Sequence, residues 1–310
     1  MPEDSHKTLA FRSLIIQRLL GISSEDNLRY ADEYAFCDGI NVIIGANATG
    51  KSTTAAALKA MLWPPRKGGE IDLQALIEVG GEPMLLRVVR TLHAVPALGR
   101  VRISIDDPTA LDGIAEFDAL RRRGALDTHT SLDSPSRSVL DVLEDGNAPL
   151  LVTTADHPLL TPEVAAHFLS SCETVAADLV VGLVEREIVE DRFPTTARTW
   201  LHFRDGDYTG ANLFGFRTRA ARRAPAFWTR VENLRKRPWR MVSAFGPVAL
   251  ALFLARRLSL DAALERASQA IGARVGAVRL PYPEAAVDVD RASDLELAER
   301  ILAERNRGPS

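Results

Sequence analysis

The sequence predicts an α/β fold in which a mostly parallel sheet is covered by helices on both faces, preceded by a small strand–loop–helix segment. Two observations lead to this prediction. After residue 70, apolar runs typical of buried strands alternate with helical patterns. Before it, NVIIGANATGKSTTAAALKAML (residues 41–62) combines an apolar strand, a glycine loop ending in Lys-Ser and an amphipathic helix. With 310 residues, 46% of them hydrophobic, the chain is long enough to bury such a core.

The segment WPPRKGGE, residues 63–70, is the strongest candidate for a domain boundary. Its two prolines end the preceding helix, and its two glycines loosen the chain that follows. We therefore divide the chain into residues 1–66, which carry a phosphate-loop pattern, and residues 67–310, which form a larger α/β domain.

The stretch GANATGKS, residues 45–52, matches the phosphate-loop pattern G-x-x-x-x-G-K-[ST] in the required context, after a strand and at the start of a helix. In this pattern the backbone N–H groups converge on phosphate oxygens, the lysine contacts the outer phosphates and the serine reaches Mg²⁺. The residues expected to contact a nucleotide here are Gly45, Asn47, Gly50, Lys51, Ser52 and Thr53.

Residues 14–64 resemble the N-terminal lobe of coiled-coil ATPases of the chromosome-maintenance and DNA-repair type, with GINVIIGANATGKST as the phosphate loop. The resemblance implies ATP binding. Those ATPases also use a second carboxylate site at the end of another strand and a Ser-Gly-Gly signature segment, and the sequence offers neither. We therefore do not expect complete ATP hydrolysis by this segment.

The larger domain is predicted as an ordered series of strands and helices. LQALIEV is a short strand, the next two glycines form a turn, and EPMLLRVVRTLHAV is a helix; RVRISIDD alternates as a strand does, and residues 138–145 are helical. APLLVTTADHPLL is a buried strand, and PEVAAHFLSSC is a helix with a proline in its first turn. ADLVVGLVE is a strand, TWLHFRDGDYTGANLFGFR is two strands around a DGD turn, and helices fill residues 221–260 and beyond. A last strand, GARVGAVRLP, precedes AAVDVDRASDLELAERILAER.

Three carboxylates follow two of these predicted strands. Asp156 terminates a buried strand, and Asp288 and Asp290 come after the last one. Because ligands bind at the carboxyl ends of parallel strands, we expect these side chains to converge there and to hold Mg²⁺, which prefers carboxylate and phosphate oxygens. Two alternatives remain open: Asp156 begins a helix-initiating turn, or Asp290 belongs to a solvated turn. We expect His157 to be structural rather than a general base.

From residue 73 to residue 305 the chain resembles nucleotidyltransferases of the molybdenum-cofactor guanylyltransferase type, which have a Rossmann-like, glycosyltransferase-A-like fold. The motifs that carry it are ALIEVGGEPMLLRVVRTL, LLVTTADHPLLTPEVAAHFL and AAVDVDRASDLELAERIL. The resemblance implies that Asp156 binds the metal, that Asp288 or Asp290 supplies a second contact, and that Asp294 caps the last helix. Asn212, in YTGANLFGF, resembles a position that contacts the acceptor, although an Asn two residues after a glycine is equally a turn former.

The chain departs from this family on its N-terminal side. The family begins with a strand and an arginine-bearing glycine loop that grips the triphosphate, followed by a lysine before the strand matched by ALIEV. Here Arg66 and Lys67 stand where that loop ends and are the expected phosphate contacts, while Gln74 stands at the lysine position. A neutral amide cannot replace an ammonium that faces polyphosphate, so we expect impaired substrate binding.

The missing first strand leaves two arrangements open. In one, the strand at residues 41–44 fills the vacant position in the sheet and brings its glycine loop to the nucleotide end. In the other, the chain is a fusion in which a small N-terminal lobe docks loosely on a damaged transferase core. The second is slightly favoured, because the ATPase-like stretch continues through its own helix before the transferase resemblance starts.

These observations predict a Mg²⁺-dependent nucleotidyltransferase that uses GTP, CTP or ATP and a small anionic acceptor. An ATP-binding module of a DNA-repair assembly and a non-catalytic fusion relic are the other interpretations. A net charge of −3 argues against nucleic acid as the partner, and no segment is long and apolar enough for a membrane span, so we expect a cytoplasmic protein. Between residues 217 and 240, nine Lys and Arg against one acid fit either a solvated basic surface or an acceptor contact.

Overall fold

A computed structural model describes residues 40–44, 76–105, 108–132, 134–144, 149–194, 198–232, 251–253 and 255–307. The helices are α1 (Met84–His93), α2 (Ala115–Arg122), α3 (Pro135–Glu144), α4 (Pro162–Thr174), α5 (Arg186–Arg192), α6 (Arg223–Glu232), α7 (Leu260–Ile271) and α8 (Ala292–Arg307). The strands are β1 (Ile40–Ile44), β2 (Glu78–Val79), β3 (Glu82–Pro83), β4 (Leu98–Ile105), β5 (Leu126–Thr130), β6 (Leu150–Thr153), β7 (Leu179–Glu185), β8 (Leu201–Phe203), β9 (Gly206–Phe216) and β10 (Val275–Arg279).

In the part of the chain that the structure describes, the fold is built around one eight-stranded sheet. Seven strands follow the order β5-β4-β1-β6-β9-β7-β10, and β8 pairs with β9 beside this path. The remaining two strands, β2 and β3, form a separate hairpin. Its turn runs through Gly80 and Gly81, whose φ angles of 60° and 84° favour glycine.

The sheet is mixed, with parallel pairs in the majority. β5, β4, β1 and β6 are parallel to one another, and so are β7 and β10. β9 runs antiparallel to both β6 and β7, because the β8–β9 hairpin reverses the chain direction. The predicted mostly parallel sheet is therefore confirmed in part: the two strands of this hairpin were expected, but their effect on strand direction was not.

β1 lies in the middle of the sheet, between β4 and β6 and parallel to both. Its last residue, Ile44, is the register partner of Ile103 in β4 and of Thr153 in β6. The strand thus fills the vacant position, which is the arrangement that the sequence did not favour. The predicted boundary between residues 66 and 67 lies outside the described residues and stays a prediction.

Helices cover both faces of the sheet and enclose two hydrophobic cores. One core includes buried residues of α1, α2, α4, α5 and α8, and the other includes buried residues of α3, α6 and α7. Along β6 the side chains alternate between them, because Leu151 belongs to the first core while Leu150 and Val152 belong to the second. Within the described residues, no helix combines the length and the apolar character needed to cross a membrane.

Three elements have no clear signal in the sequence. β5, LDTHT, is an edge strand in which one residue is buried. α2 buries Phe117 and Leu120, and the seven-residue α5 buries Val189 alone. Such elements give too few apolar positions for a period to be recognised.

Candidate active site

Asp156 lies just beyond the carboxyl end of β6, in the middle of the sheet. Every residue of β6 is buried, and Asp156 itself is 0% exposed. The turn that follows is hydrogen-bonded to α8, because Arg305 donates to the carbonyl of Leu159 at 3.1 Å. The next helix, α4, is capped by the side chain of Thr161, which accepts from its first turn. Asp156 is therefore not the cap of that helix.

Asp288 and Asp290 reach Asp156 by a route that the sequence does not predict. β10 is not a neighbour of β6, since β7 and β9 lie between them. After β10 the chain crosses back over the ends of these strands: the N–H of Leu280 donates to a β7 carbonyl at 2.8 Å, and the N–H of Val289 donates to the carbonyl of Asp156 at 2.9 Å. The expected convergence of carboxylates from neighbouring strands is thus produced by a crossing segment instead.

The three carboxylates meet in one cluster. One oxygen each of Asp156, Asp288 and Asp290 lies within 4.8 Å of the others. Opposite ligands of octahedral Mg²⁺ are about 4.2 Å apart and adjacent ligands about 3 Å apart, so the carboxylates need to move closer by up to about 2 Å to share one ion. Mg²⁺ normally keeps several waters and takes one or two carboxylates together with substrate phosphates. The all-carboxylate donor set suits such a hard cation, whereas zinc sites are built mainly from nitrogen and sulfur ligands.

Arg198 bridges two carboxylates at this cluster. Its side chain is 6% exposed; one terminal nitrogen lies 2.6 Å from Oδ1 of Asp288 and the other 3.2 Å from Oδ1 of Asp294. The remaining oxygen of Asp294 accepts the backbone N–H groups of Asp290 and Arg291, at 3.3 and 3.0 Å. Asp294 therefore joins the ligand-bearing segment to the first turn of α8, in keeping with its expected capping role.

The electrostatic setting of the neighbouring titratable groups follows from their burial. Burial raises the pKa of the Asp294 carboxyl, and the negative charge of Asp288 adds to this, whereas Arg198 opposes it. Burial lowers the pKa of the His157 imidazole to about 4, so the ring is neutral at neutral pH. A group with this pKa is a weak base at neutral pH, which supports the expectation that His157 is structural.

Asn212 lies against the cluster. It is 6% exposed, and its amide nitrogen donates to Oδ2 of Asp288 at 3.4 Å. Its φ of 50° is in the left-handed region, which Asn tolerates better than most residues. Asn212 lies inside β9, where the pairing with β7 shifts register between Val181 and Leu183, so its backbone belongs to an irregularity of the strand and not to a turn.

The structure brings together the three predicted metal ligands. The predicted phosphate contacts all lie outside the described residues; they are Gly45, Asn47, Gly50, Lys51, Ser52, Thr53, Arg66 and Lys67. Among the described residues, Arg198 is a site residue that the sequence does not predict. It is 90 residues from Asp288 and stands in an irregular segment, so neither periodicity nor a motif marks it.

Comparison with known proteins identifies a family. Residues 66–275 match the model of the MobA-like NTP transferase domain. Among solved structures, a protein described as a hypothetical transferase from Thermus thermophilus is 32% identical, with a TM-score of 0.61, and the alignment covers 80% of this chain and 96% of that one. A search of curated proteins finds no match.

Two further structures are similar at 13% identity. One is CMP:2-keto-3-deoxy-manno-octonic acid synthetase in complex with CTP, with a TM-score of 0.47 and coverage of 77% of this chain and 95% of that one. The other is 4-diphosphocytidyl-2C-methyl-D-erythritol synthase from Anaerococcus prevotii, with a TM-score of 0.43 and coverage of 73% and 88%. These scores are too low to bear on function.

The family match begins at residue 66, so the resemblance of residues 14–64 to coiled-coil ATPases stays a prediction. The resemblance of the larger domain to nucleotidyltransferases is confirmed at the level of the family, without distinguishing a guanylyltransferase from its relatives. The chain belongs to the MobA-like NTP transferase family and is a nucleotidyltransferase-type enzyme.

Proposed function

We propose that this protein transfers a nucleoside monophosphate from a nucleoside triphosphate to a phosphorylated or sugar-like acceptor in a Mg²⁺-dependent reaction. The proposal rests on one observation: oxygens of Asp156, Asp288 and Asp290 lie within 4.8 Å of one another, just beyond the carboxyl end of β6. Family membership supplies the substrate class, a nucleoside triphosphate. GTP, CTP and ATP are the candidates.

In this reaction an acceptor oxygen forms a bond to the α-phosphorus. The bond from that phosphorus to the oxygen leading to the β-phosphate breaks, and pyrophosphate leaves with the electron pair; a hydroxyl acceptor releases its proton to solvent. A bound Mg²⁺ supplies positive charge to the α-phosphate and to the departing pyrophosphate. Asp156 and Asp290 are its direct ligands in this proposal. Asp288 assists, since its two oxygens already accept from Arg198 and Asn212.

The proposed triphosphate contacts are Lys51 and Ser52 of the phosphate loop, together with Arg66 or Lys67. The position of β1 supports this assignment, because the strand that precedes the loop ends at Ile44, beside Thr153. Thr153 is the last residue of β6, so the carboxyl ends of β1 and β6 lie side by side. β6 is the strand that leads to the carboxylate cluster. Backbone N–H groups of a glycine loop at such a strand end bind phosphate oxygens.

The proposed acceptor is a small anion. The basic sequence RKRPWR, at residues 235–240, supplies four positive charges that suit a phosphate or carboxylate on the acceptor. This stretch lies outside the described residues.

The test is pyrophosphate release with each nucleoside triphosphate, in Mg²⁺ or in EDTA, across phosphorylated and sugar acceptors. We expect Mg²⁺-dependent release with one pair of substrates, reduced at least about 100-fold in Asp156→Asn. The matched control is Asp191→Asn, which alters an exposed aspartate of α5 and should keep the wild-type rate. Release that persists in EDTA, or that Asp156→Asn leaves unchanged, would contradict the proposal.

The phosphate-loop pattern at residues 45–52 keeps a second candidate, an ATP-binding module of a DNA-repair type assembly. Both functions place Lys51 on the nucleotide, so pyrophosphate release by wild type separates them. Loss of ATP binding in Lys51→Ala, with no pyrophosphate release by wild type in the presence of any acceptor, favours the module. ATP binding that neither Lys51→Ala nor Asp156→Asn affects leaves a non-catalytic relic.

A further inference from the structure

We infer that Arg198 is a positioning residue of the metal site, which holds Asp288 and the backbone at Asp290 in the orientation that receives a divalent ion. The inference rests on the metal-binding part of the proposed function. It adds a residue that neither the family match nor any sequence pattern assigns.

The first support is the geometry of the guanidinium. Its two terminal nitrogens contact two different carboxylates, at 2.6 Å for Asp288 and 3.2 Å for Asp294. The nitrogen that contacts the Asp288 side chain also donates to the Asp288 carbonyl at 3.3 Å. A planar guanidinium with donors in fixed directions therefore fixes both the side chain and the main chain of Asp288.

The second support is the path from Arg198 to Asp290. The Asp294 oxygen that faces Arg198 is Oδ1, and its Oδ2 accepts the backbone N–H groups of Asp290 and Arg291. Holding one oxygen of this carboxylate in place fixes the direction of the other. One arginine thus orients the Asp288 carboxylate directly and the backbone at Asp290 through Asp294.

The third support is charge. Three carboxylates within 4.8 Å repel one another when no cation is bound. Arg198, at 6% exposure, brings a positive charge into direct contact with Asp288, where solvent and salt screen it little. The same charge repels a bound cation, so a loss of metal affinity in an Arg198 variant reports the loss of ligand orientation and not the loss of charge. Removal of partners that orient metal ligands typically weakens metal affinity or activity by about 10–100-fold.

The test measures Mn²⁺ affinity of the full chain without nucleotide, from the electron paramagnetic resonance signal of free Mn²⁺. We expect Arg198→Met to weaken Mn²⁺ binding by about 10–100-fold. Arg198→Lys should fall between this variant and wild type, since one ammonium cannot bridge two carboxylates. The control is Arg192→Met, which removes an arginine that is 52% exposed and paired with Glu304, and should leave Mn²⁺ affinity unchanged.

A purely structural role gives a different result. The unfolding midpoint in EDTA would fall in the Arg198 variants, but the folded fraction would bind Mn²⁺ as wild type does, and that result overturns the inference. If Arg198→Met does not fold, Arg198→Lys decides alone. In an Asp288→Asn background, Arg198→Met should reduce Mn²⁺ affinity by a smaller factor, because the ion pair between Arg198 and Asp288 is already lost and only the path through Asp294 remains.

Failure of this inference is distinguishable from failure of the proposed function. Wild-type pyrophosphate release with unchanged Mn²⁺ affinity in the Arg198 variants overturns the inference alone. If wild type binds Mn²⁺ and Arg198→Met weakens that binding, but no acceptor supports pyrophosphate release, the inference is supported and the proposed function is overturned. A wild-type protein that binds no Mn²⁺ overturns both.

Discussion

Replacing Asp156 with asparagine should stabilise the metal-free protein while abolishing its response to Mg²⁺. The three carboxylates of the cluster lie within 4.8 Å of one another. At that separation two unit charges repel by about 3.5 kcal/mol in a medium with an effective dielectric constant of about 20. Arg198 offsets part of the charge at Asp288. We therefore expect Asp156→Asn to raise the free energy of unfolding of the metal-free protein by about 1–3 kcal/mol.

The assay is urea unfolding followed by circular dichroism at about pH 8, where carboxylates are normally ionised, in EDTA and in Mg²⁺. A site with a dissociation constant of about 1 mM gains about 1.4 kcal/mol in about 10 mM Mg²⁺, and the variant should gain nothing. Asp191→Asn, at an exposed position, should match wild type in both conditions. Destabilisation of metal-free Asp156→Asn, or equal Mg²⁺ stabilisation of both proteins, would refute the reasoning.

Three further predictions concern the rest of the fold. A Cβ at Gly276 would lie 2.5 Å from Cγ1 of Val175, so Gly276→Ala should cost about 1–3 kcal/mol in urea unfolding, and an unchanged midpoint would contradict the packing. Burial alone would raise the pKa of Asp178, but hydrogen bonds from the N–H of Arg274 and a threonine hydroxyl outweigh it and lower the pKa. The ionised Asp178 therefore stabilises the folded state. This contribution is fully present above the pKa of an aspartate in the unfolded chain, about 3.9, and is lost as the pH falls through the pKa of Asp178 in the folded protein. The cost of Asp178→Asn should therefore shrink in acid, and a cost independent of pH would contradict this origin. Burial raises the pKa of the Cys172 thiol to about 12, so iodoacetamide at about pH 8 should label it only after unfolding. Because the chain also contains Cys37, labelling is read from the Cys172 peptide by mass spectrometry, and labelling of that peptide in the folded protein at the rate of a free thiol would contradict its burial.

The sequence predicts best the strands that are buried on both faces of the sheet, because both sets of side chains in such a strand must be apolar. β6, LLVT, and β7, LVVGLVE, are such runs, and both are buried along almost their whole length. The edge strand β5, LDTHT, carries no comparable pattern. The direction of β9 has no local signal either, since apolar runs look alike in parallel and antiparallel strands. Only pairing with β6 and β7 decides it.

The candidate site is predictable to the extent that its residues follow recognisable strands. A carboxylate after a buried strand is costly unless a cation or hydrogen bonds compensate it, which marks Asp156. Arg198 has no such mark, because its contact with Asp288 spans 90 residues and depends on the path by which the chain crosses β7 and β9. The central place of β1 is equally a result of long-range pairing, which a local match to a different family cannot reveal.

Anomalous diffraction from a crystal of the full chain soaked in Mn²⁺ tests the metal site most directly. We expect one anomalous peak at the carboxylate cluster, about 2 Å from an oxygen of Asp156 and from an oxygen of Asp290. The peak should be missing from Asp156→Asn crystals and present in Asp191→Asn crystals. A Mn²⁺ peak bound elsewhere on the chain, with none between these carboxylates, would contradict the claim that they form one metal site.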